Sequence, residues 1–339
     1  MIRKHPRSAA RRIGTTAGCI AAAVLILSGC AGAAKPKVYR VGILSGLNFI
    51  ADIGAIFQAK MTELGYVEGE NIAYDVRAMD FDMAAYQAAA QDFLDADVDL
   101  ILVFPTEASQ EVKKATEGTD IPVVFSFAFV EGTGLVDSIT APGGNVTGVR
   151  YPGPDLALKR FEVMMEMAPG TQRLWIPYQR GYPIVEPQME ALRPVAEAAG
   201  VTLIEFPADD AAELQADLDA RAGMEDIGFD AIMFLSEPLA VTPEPFEVMA
   251  EFAYARKIPI GGAMMISGGY ASLYGIVGDI GSSGTEAALI ADKILKGADP
   301  GTIPVVSAES YFQISVTAAQ ALGITVPEGL LAQANEVMR

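Results

Sequence analysis

Apolar residues along this chain fall into short continuous runs that alternate with stretches of helical spacing. Val38–Leu44 is an unbroken apolar-rich run ending in Ser45-Gly46, the pattern of a strand buried on both faces. Ala51–Leu64 places Ile53, Ile56, Phe57, Met61 and Leu64 on one helical face and stops at Gly65. The rhythm continues with strands at 71–79, 100–104 and 122–127 and helices at 82–95 and 107–117. It breaks at Ala141-Pro142-Gly143-Gly144-Asn145 and restarts after Tyr151-Pro152-Gly153-Pro154. Helices are then predicted at 156–168, 186–199, 211–222, 245–256 and 281–295, with strands at 173–178, 201–206, 230–235 and 272–277. Repeated βα units imply α/β sheets, parallel and covered by helices on both faces. Two such sets, joined near 141–154, predict two lobes with a cleft between them.

The first residues read differently. Arg3, Lys4, Arg7, Arg11 and Arg12 precede an apolar run from Ile13 to Gly29, the layout of a signal peptide over 1–29. Leu27-Ser28-Gly29-Cys30 has the form of a bacterial lipobox, which implies lipid attachment at Cys30 and a tether over 30–37. An exported, lipid-anchored chain in the periplasm or another extracytoplasmic space is expected.

Composition then removes whole classes of chemistry. The sole histidine, His5, falls inside the signal segment, so His-based triads and His-ligated zinc are excluded from the exported part. Two cysteines cannot build a disulfide framework. After removal of 1–29, 19 basic groups face 43 acidic ones, a net charge of −24. That charge argues against nucleic acid and against attraction to anionic lipid headgroups, leaving the anchor as the membrane link. No GxSxG, GxxxxGK[ST], GxGxxG after a strand, or HExxH is present. No enzyme activity, cofactor or metal is expected.

In open α/β sheets a ligand sits beyond the carboxyl ends of the strands. Ser45, Gly46, Asn48 and Phe49 occupy the first such loop. Thr106 and Ser109 begin a helix after a strand, and either seat a carboxylate with the helix N-terminus or simply cap it. Ser126, Phe127, Phe129, Tyr178, Tyr182 and Met265 lie at or near strand ends, where they form either an apolar pocket or ordinary core. Arg180 could clamp a carboxylate or sit in solvent. Glu237 and Asp279 could accept from an amine or be solvated acids.

Five segments carry a resemblance. Glu63-Leu64-Gly65-Tyr66-Val67-Glu68-Gly69-Glu70-Asn71-Ile72 is similar to the LGYxEGxN signature of one family of ABC transporter solute-binding proteins, best known for aromatic amino acid binders of the tryptophan/tyrosine type. Ile121–Phe125, Gly132–Ser138 with Pro142–Gly148, Asp292–Pro300 and Ala321–Leu331 follow in the family order. The resemblance implies a type I periplasmic-binding fold with three hinge crossings. It implies a first lobe of 38–150 plus about 278–305 and a second of 151–277 plus about 306–339. It further implies a monomer that takes a small-molecule ligand, a hydrophobic or aromatic amino acid or related carboxylate, and delivers it to an ABC permease and its ATPase. Where relatives carry Asp-Pro, this chain has Phe129-Val130, which points toward a more apolar, even lipid-like, ligand. A sensory receptor docking a signalling membrane protein is the alternative of another class.

Overall fold

In the computed structural model, which describes residues 37–339, the first alternation becomes a six-stranded parallel sheet. Its strands are β1 (Tyr39–Ser45), β2 (Ile72–Ala78), β3 (Leu100–Phe104), β4 (Val123–Ala128) and β5 (Val146–Arg150), with a late addition from residues 306–307. Helices α1 (Asp52–Glu63), α2 (Met83–Asp95) and α3 (Thr106–Ala115) connect them. Strands β1 and β3 read as continuous apolar runs because both faces are covered. On one side Phe93 and Tyr86 of α2 and Val112 of α3 pack against Leu44, Val103 and Phe125. On the other, Ile53 and Phe57 of α1 pack with Val41, Ile43, Phe104 and residues of a later helix. Each fully buried aromatic of this kind contributes roughly 3–5 kcal/mol, the usual cost of truncating it to alanine.

The second alternation begins with α4 (Gly153–Met167) and runs through β6 (Arg173–Gln179), α5 (Val185–Ala198), β7 (Thr202–Ala208), α6 (Ala211–Ala222), β8 (Ala231–Met233), α7 (Pro243–Arg256) and β9 (Ile260–Gly261). These strands form a parallel sheet in the order β7-β6-β8-β9. Trp175 of β6 is fully buried, stacked on Phe229 and tilted against Phe206. Beyond β9 the pattern changes. A small hairpin, β10 (Ile266–Ser267) and β11 (Tyr270–Ala271), precedes β12 (Tyr274–Gly278). Helix α8 (Ile280–Leu295) returns to the first lobe, where Ala287, Ala288 and Ile290 join the α1 face. Then β13 (Val306–Ser307) pairs with β5, and β14 (Ser310–Ser315) pairs antiparallel with β12. After α9 (Val316–Leu322) and α10 (Glu328–Gln333), β15 (Glu336–Met338) adds in parallel to β14.

The chain therefore passes between the two sheet systems at 150–153, 278–280 and 307–310, and these crossings are tied side by side. Ala308 N–H donates to Arg150 O at 3.0 Å, and Asp279 N–H to Glu309 O at 2.7 Å. Arg150 Nε donates to Ser307 Oγ at 2.8 Å.

The recognisable segments hold the first lobe together. Asn71 closes the Gly65–Asn71 turn by accepting from Val67 N–H and donating to Gly65 O. Tyr66 Oη donates to Asp292 Oδ1 at 3.0 Å, joining the first of those segments to the fourth. Asn145 donates to Ile121 O at 2.7 Å, and the buried Thr147 hydroxyl donates to Ile303 O at 2.7 Å. The signal segment, Cys30 and all but the last residue of the tether lie outside the described residues. Among the described residues no helix is long and apolar enough to cross a membrane.

Candidate ligand cleft

The carboxyl ends of β1, β3 and β4 meet those of β6 and β8. Side chains and backbone meet across this junction. Tyr182, in the loop between β6 and α5, donates a short hydrogen bond to Glu107 of α3. Gly132 lies against the first turn of α5, so close that an added Cβ would be 3.2 Å from Pro187. At the floor, Tyr151 places its ring on Phe127 (centroids 5.0 Å apart) and on Phe129 (4.8 Å), and its hydroxyl 3.0 Å from Ser236 Oγ beyond β8.

Phe127 owes its position to a break in β4. The register with β5 shifts between Phe125 and Ala128, and Phe127 takes the left-handed backbone at φ 50°. An aromatic residue pays for such a conformation only where its surroundings impose it, and a bulge is the usual way to re-aim a side chain at a strand end. The result is a half-buried ring turned onto Tyr151. Phe129, two residues on, is buried. It fills the space beside Gly153, where a Cβ would come within 2.1 Å of its ring. Phe129 thus packs against the crossing at 150–153.

Several polar candidates turn out to serve the scaffold. The N-cap of α3 is Pro105, with no side-chain cap, and Thr106 Oγ1 accepts from Phe129 N–H at 3.0 Å. Ser109 Oγ donates back to Pro105 O, and the buried Ser126 Oγ donates to Ser283 O at 3.2 Å. Asp279 caps α8 through Ser282 N–H. Ser45 Oγ donates to Leu47 O, and Gly46 is a backbone junction taking Phe81 N–H and the Tyr86 hydroxyl. Glu237, expected to meet an amine or solvent, is buried and accepts from the N–H groups of Gln179, Leu239 and Ala240. Burial pushes its carboxyl up to about 7, against the pull of those donors. Arg180 is half exposed and paired with Asp209 and Glu213 of its own lobe at 3.0 and 2.7 Å. Tyr178 is turned to Glu205 at 3.1 Å.

Phe49 is 73% exposed at the rim beside Asn48, and Met265 leads into the β10–β11 hairpin with its N–H held by Ser272. Three residues at the lobe junction are not individual candidates from the sequence: Glu107 and Ser236, which lie in strand-end loops at 105–109 and 236–239, and Arg160, which lies inside a helix. Glu107 gives no signal beyond opening a helix. Tyr182 faces it, and burial beside that acid raises its phenol far above the ordinary range.

No group of acids, histidines or cysteines among the described residues has the arrangement of a metal site. The junction brings together aromatic faces, hydroxyls, the Glu107 carboxylate and backbone groups, a set suited to holding an organic solute.

The profile of the ABC transporter substrate binding protein family matches residues 49–338. The chain belongs to that family. Proteins of this kind bind solutes outside the cytoplasm. This substrate-binding protein is 27% identical over 254 residues to the tyrosine-binding protein of Clostridioides difficile strain R20291, covering 74% of this chain and 70% of that one. A conserved domain protein of Vibrio cholerae has the same fold, with TM-score 0.71 and 26% identity over 89% of this chain and all of that one. So does an ABC domain from Streptococcus pneumonia crystallised with L-Trp, with TM-score 0.74 and 24% identity over 89% of this chain and all of that one. The two-lobe type I architecture is common to these neighbours.

Proposed function

We infer that this substrate-binding protein is the lipid-anchored receptor of an ABC importer and closes on a small hydrophobic or aromatic amino acid or a related carboxylate. The observation that carries the reading is Phe127, held in a left-handed bulge so that its ring faces the floor between the lobes. Packed edge-on against the buried Tyr151, the exposed part of the Phe127 ring offers aromatic surface on which a flat apolar side chain can stack, worth about 0.5–1.5 kcal/mol per ring pair beyond area burial. The lobes would swing about the tied crossings at 150–153, 278–280 and 307–310 and bury the solute. Tyr182 and Glu107 sit where such closure brings the lobes together, and Glu107 could also meet an ammonium group. Residues 38–150 with about 278–305 would move as one lobe, and 151–277 with about 306–339 as the other. Anchored through Cys30, a monomer would hand its cargo to a permease driven by an ATPase; capture needs no cofactor.

A larger lipid-like ligand is the weaker reading, because Phe129 is spent on the hinge. Native mass spectrometry of the purified protein, followed by calorimetry with the twenty amino acids, tests the assignment. One aromatic or hydrophobic amino acid bound per chain is the expected result. Retention of a lipid-like compound, with no amino acid bound, would replace it with the second reading.

A further inference from the structure

Arg160 of α4 is wholly buried beneath the floor of the cleft. It forms no ion pair with any described residue; its partners are neutral. Nε donates to Gly262 O and Ile276 O at 3.0 and 2.9 Å. Nη2 donates to Tyr151 Oη, Ser236 Oγ and Ile276 O at 2.9, 2.8 and 2.6 Å. Nη1 reaches only Gln188 Oε1, at 3.4 Å. A guanidinium withdrawn from water without a counter-charge is costly unless something supplies one.

The two hydroxyls above it cannot use all their hydrogens on each other. Each oxygen already accepts from Arg160, and one hydroxyl donates to the other across 3.0 Å. One hydrogen of the pair is left over whichever way they are turned. Tyr151 is buried, whereas Ser236 keeps partial exposure at the carboxyl end of β8. The spare donor is therefore Ser236, polarised from behind by a positive charge and placed beside the Tyr151–Phe127 pair.

We propose that Ser236, backed by Arg160 and oriented by Tyr151, is the seat for the carboxylate of the ligand. The proposal rests on the solute-capture reading above and deepens it. The helix α3 end, where sequence reasoning looks for that seat, has Glu107 near it and a Thr106 hydroxyl oxygen already taken by Phe129. At Ser236 a carboxylate oxygen gains a charge-assisted hydrogen bond, and Arg160 gains the counter-charge it lacks.

The test compares acids with their amides. Wild type, Ser236→Ala and Ser236→Thr are titrated by calorimetry with L-tyrosine, L-tryptophan, L-leucine and octanoate, and with the amide of each. Melting of the variants at the wild-type temperature shows that the fold is kept. Ser236→Ala is expected to lose at least tenfold in affinity for the acids and little for the amides, with Ser236→Thr restoring the acid preference. If only leucine or octanoate binds and shows that pattern, the carboxylate seat stands and the aromatic assignment falls. If tyrosine or tryptophan binds and Ser236→Ala changes nothing, or weakens acid and amide equally, the seat is overturned while solute capture stands. Failure of every acid to bind wild type overturns it as well.

Discussion

Arg160 and Arg180 belong to the same lobe and differ in almost every physical respect. Arg180 follows the end of β6, is half exposed, and is neutralised by two acids. Arg160 lies inside α4, sees no water, and is surrounded by carbonyls and hydroxyls. An exposed paired charge is screened and contributes little. A buried charge with neutral partners fixes the groups around it and makes its surroundings receptive to an anion. Position at a loop is therefore a poor guide to which arginine serves the site.

The sharpest test of that contrast is Arg160→Met. It strands the Ile276 carbonyl and takes their shared cationic donor from Tyr151 Oη and Ser236 Oγ, while Gly262 O keeps Ile276 N–H at 2.9 Å. At about 1–3 kcal/mol for the stranded carbonyl and about 1.5–3 kcal/mol for a lost hydrogen bond from a charged group, stability should fall by roughly 3–6 kcal/mol in denaturant unfolding. A loss below ~1 kcal/mol would mean the network is slack. Glu237, next to Ser236, gives the second effect. Its carboxyl moves from an ordinary 4.5 to about 7 through burial. Between those values the folded chain keeps a proton that the unfolded chain has released. Its contribution to stability is thus full below pH ~4.5 and is lost as pH rises to about 7, an effect of up to ~3 kcal/mol. Glu237→Gln should flatten the stability profile across that window; an unchanged slope would assign it to other groups.

Tyr182→Phe removes the hydroxyl that bridges to Glu107 and should cost about 0.5–1.5 kcal/mol of closure, read as a several-fold weaker affinity with the unfolding midpoint nearly constant. The smallest effect belongs to Arg180→Ala, under ~1 kcal/mol in stability and under threefold in affinity. A tenfold affinity loss there would return Arg180 to the site and erase the distinction between the two arginines.

Much of the first lobe was legible because its chemistry is periodic. Continuous apolar runs gave β1, β3 and most of β4, and Asp82 and Asp210 cap α2 and α6 where the pattern begins them. The second lobe is harder past residue 257. Strands β9, β10, β11 and β13 are two residues long, too short for any period, and β14 and β15 join by antiparallel and edge pairing that apolar runs do not signal. β5 was hidden by the Pro/Gly-rich segment preceding it. Which side chains lie at the strand ends was legible; what they contact was not. Phe127 was found as a strand-end aromatic, but its bulge was not. Thr106, Ser109 and Ser126 were found as hydroxyls, but their partners, Phe129, Pro105 and Ser283, are set by the tertiary fold. Arg160 gives no signal in the sequence; packing turns its neighbour Lys159 to Ser310 and Arg160 inward.

A crystal grown with saturating L-tryptophan would test the site most directly. The expected density is an intact amino acid between the lobes, its ring against Phe127 and a carboxylate oxygen within hydrogen-bonding distance of Ser236 Oγ. An empty cleft, or a carboxylate seated away from Ser236, would contradict it.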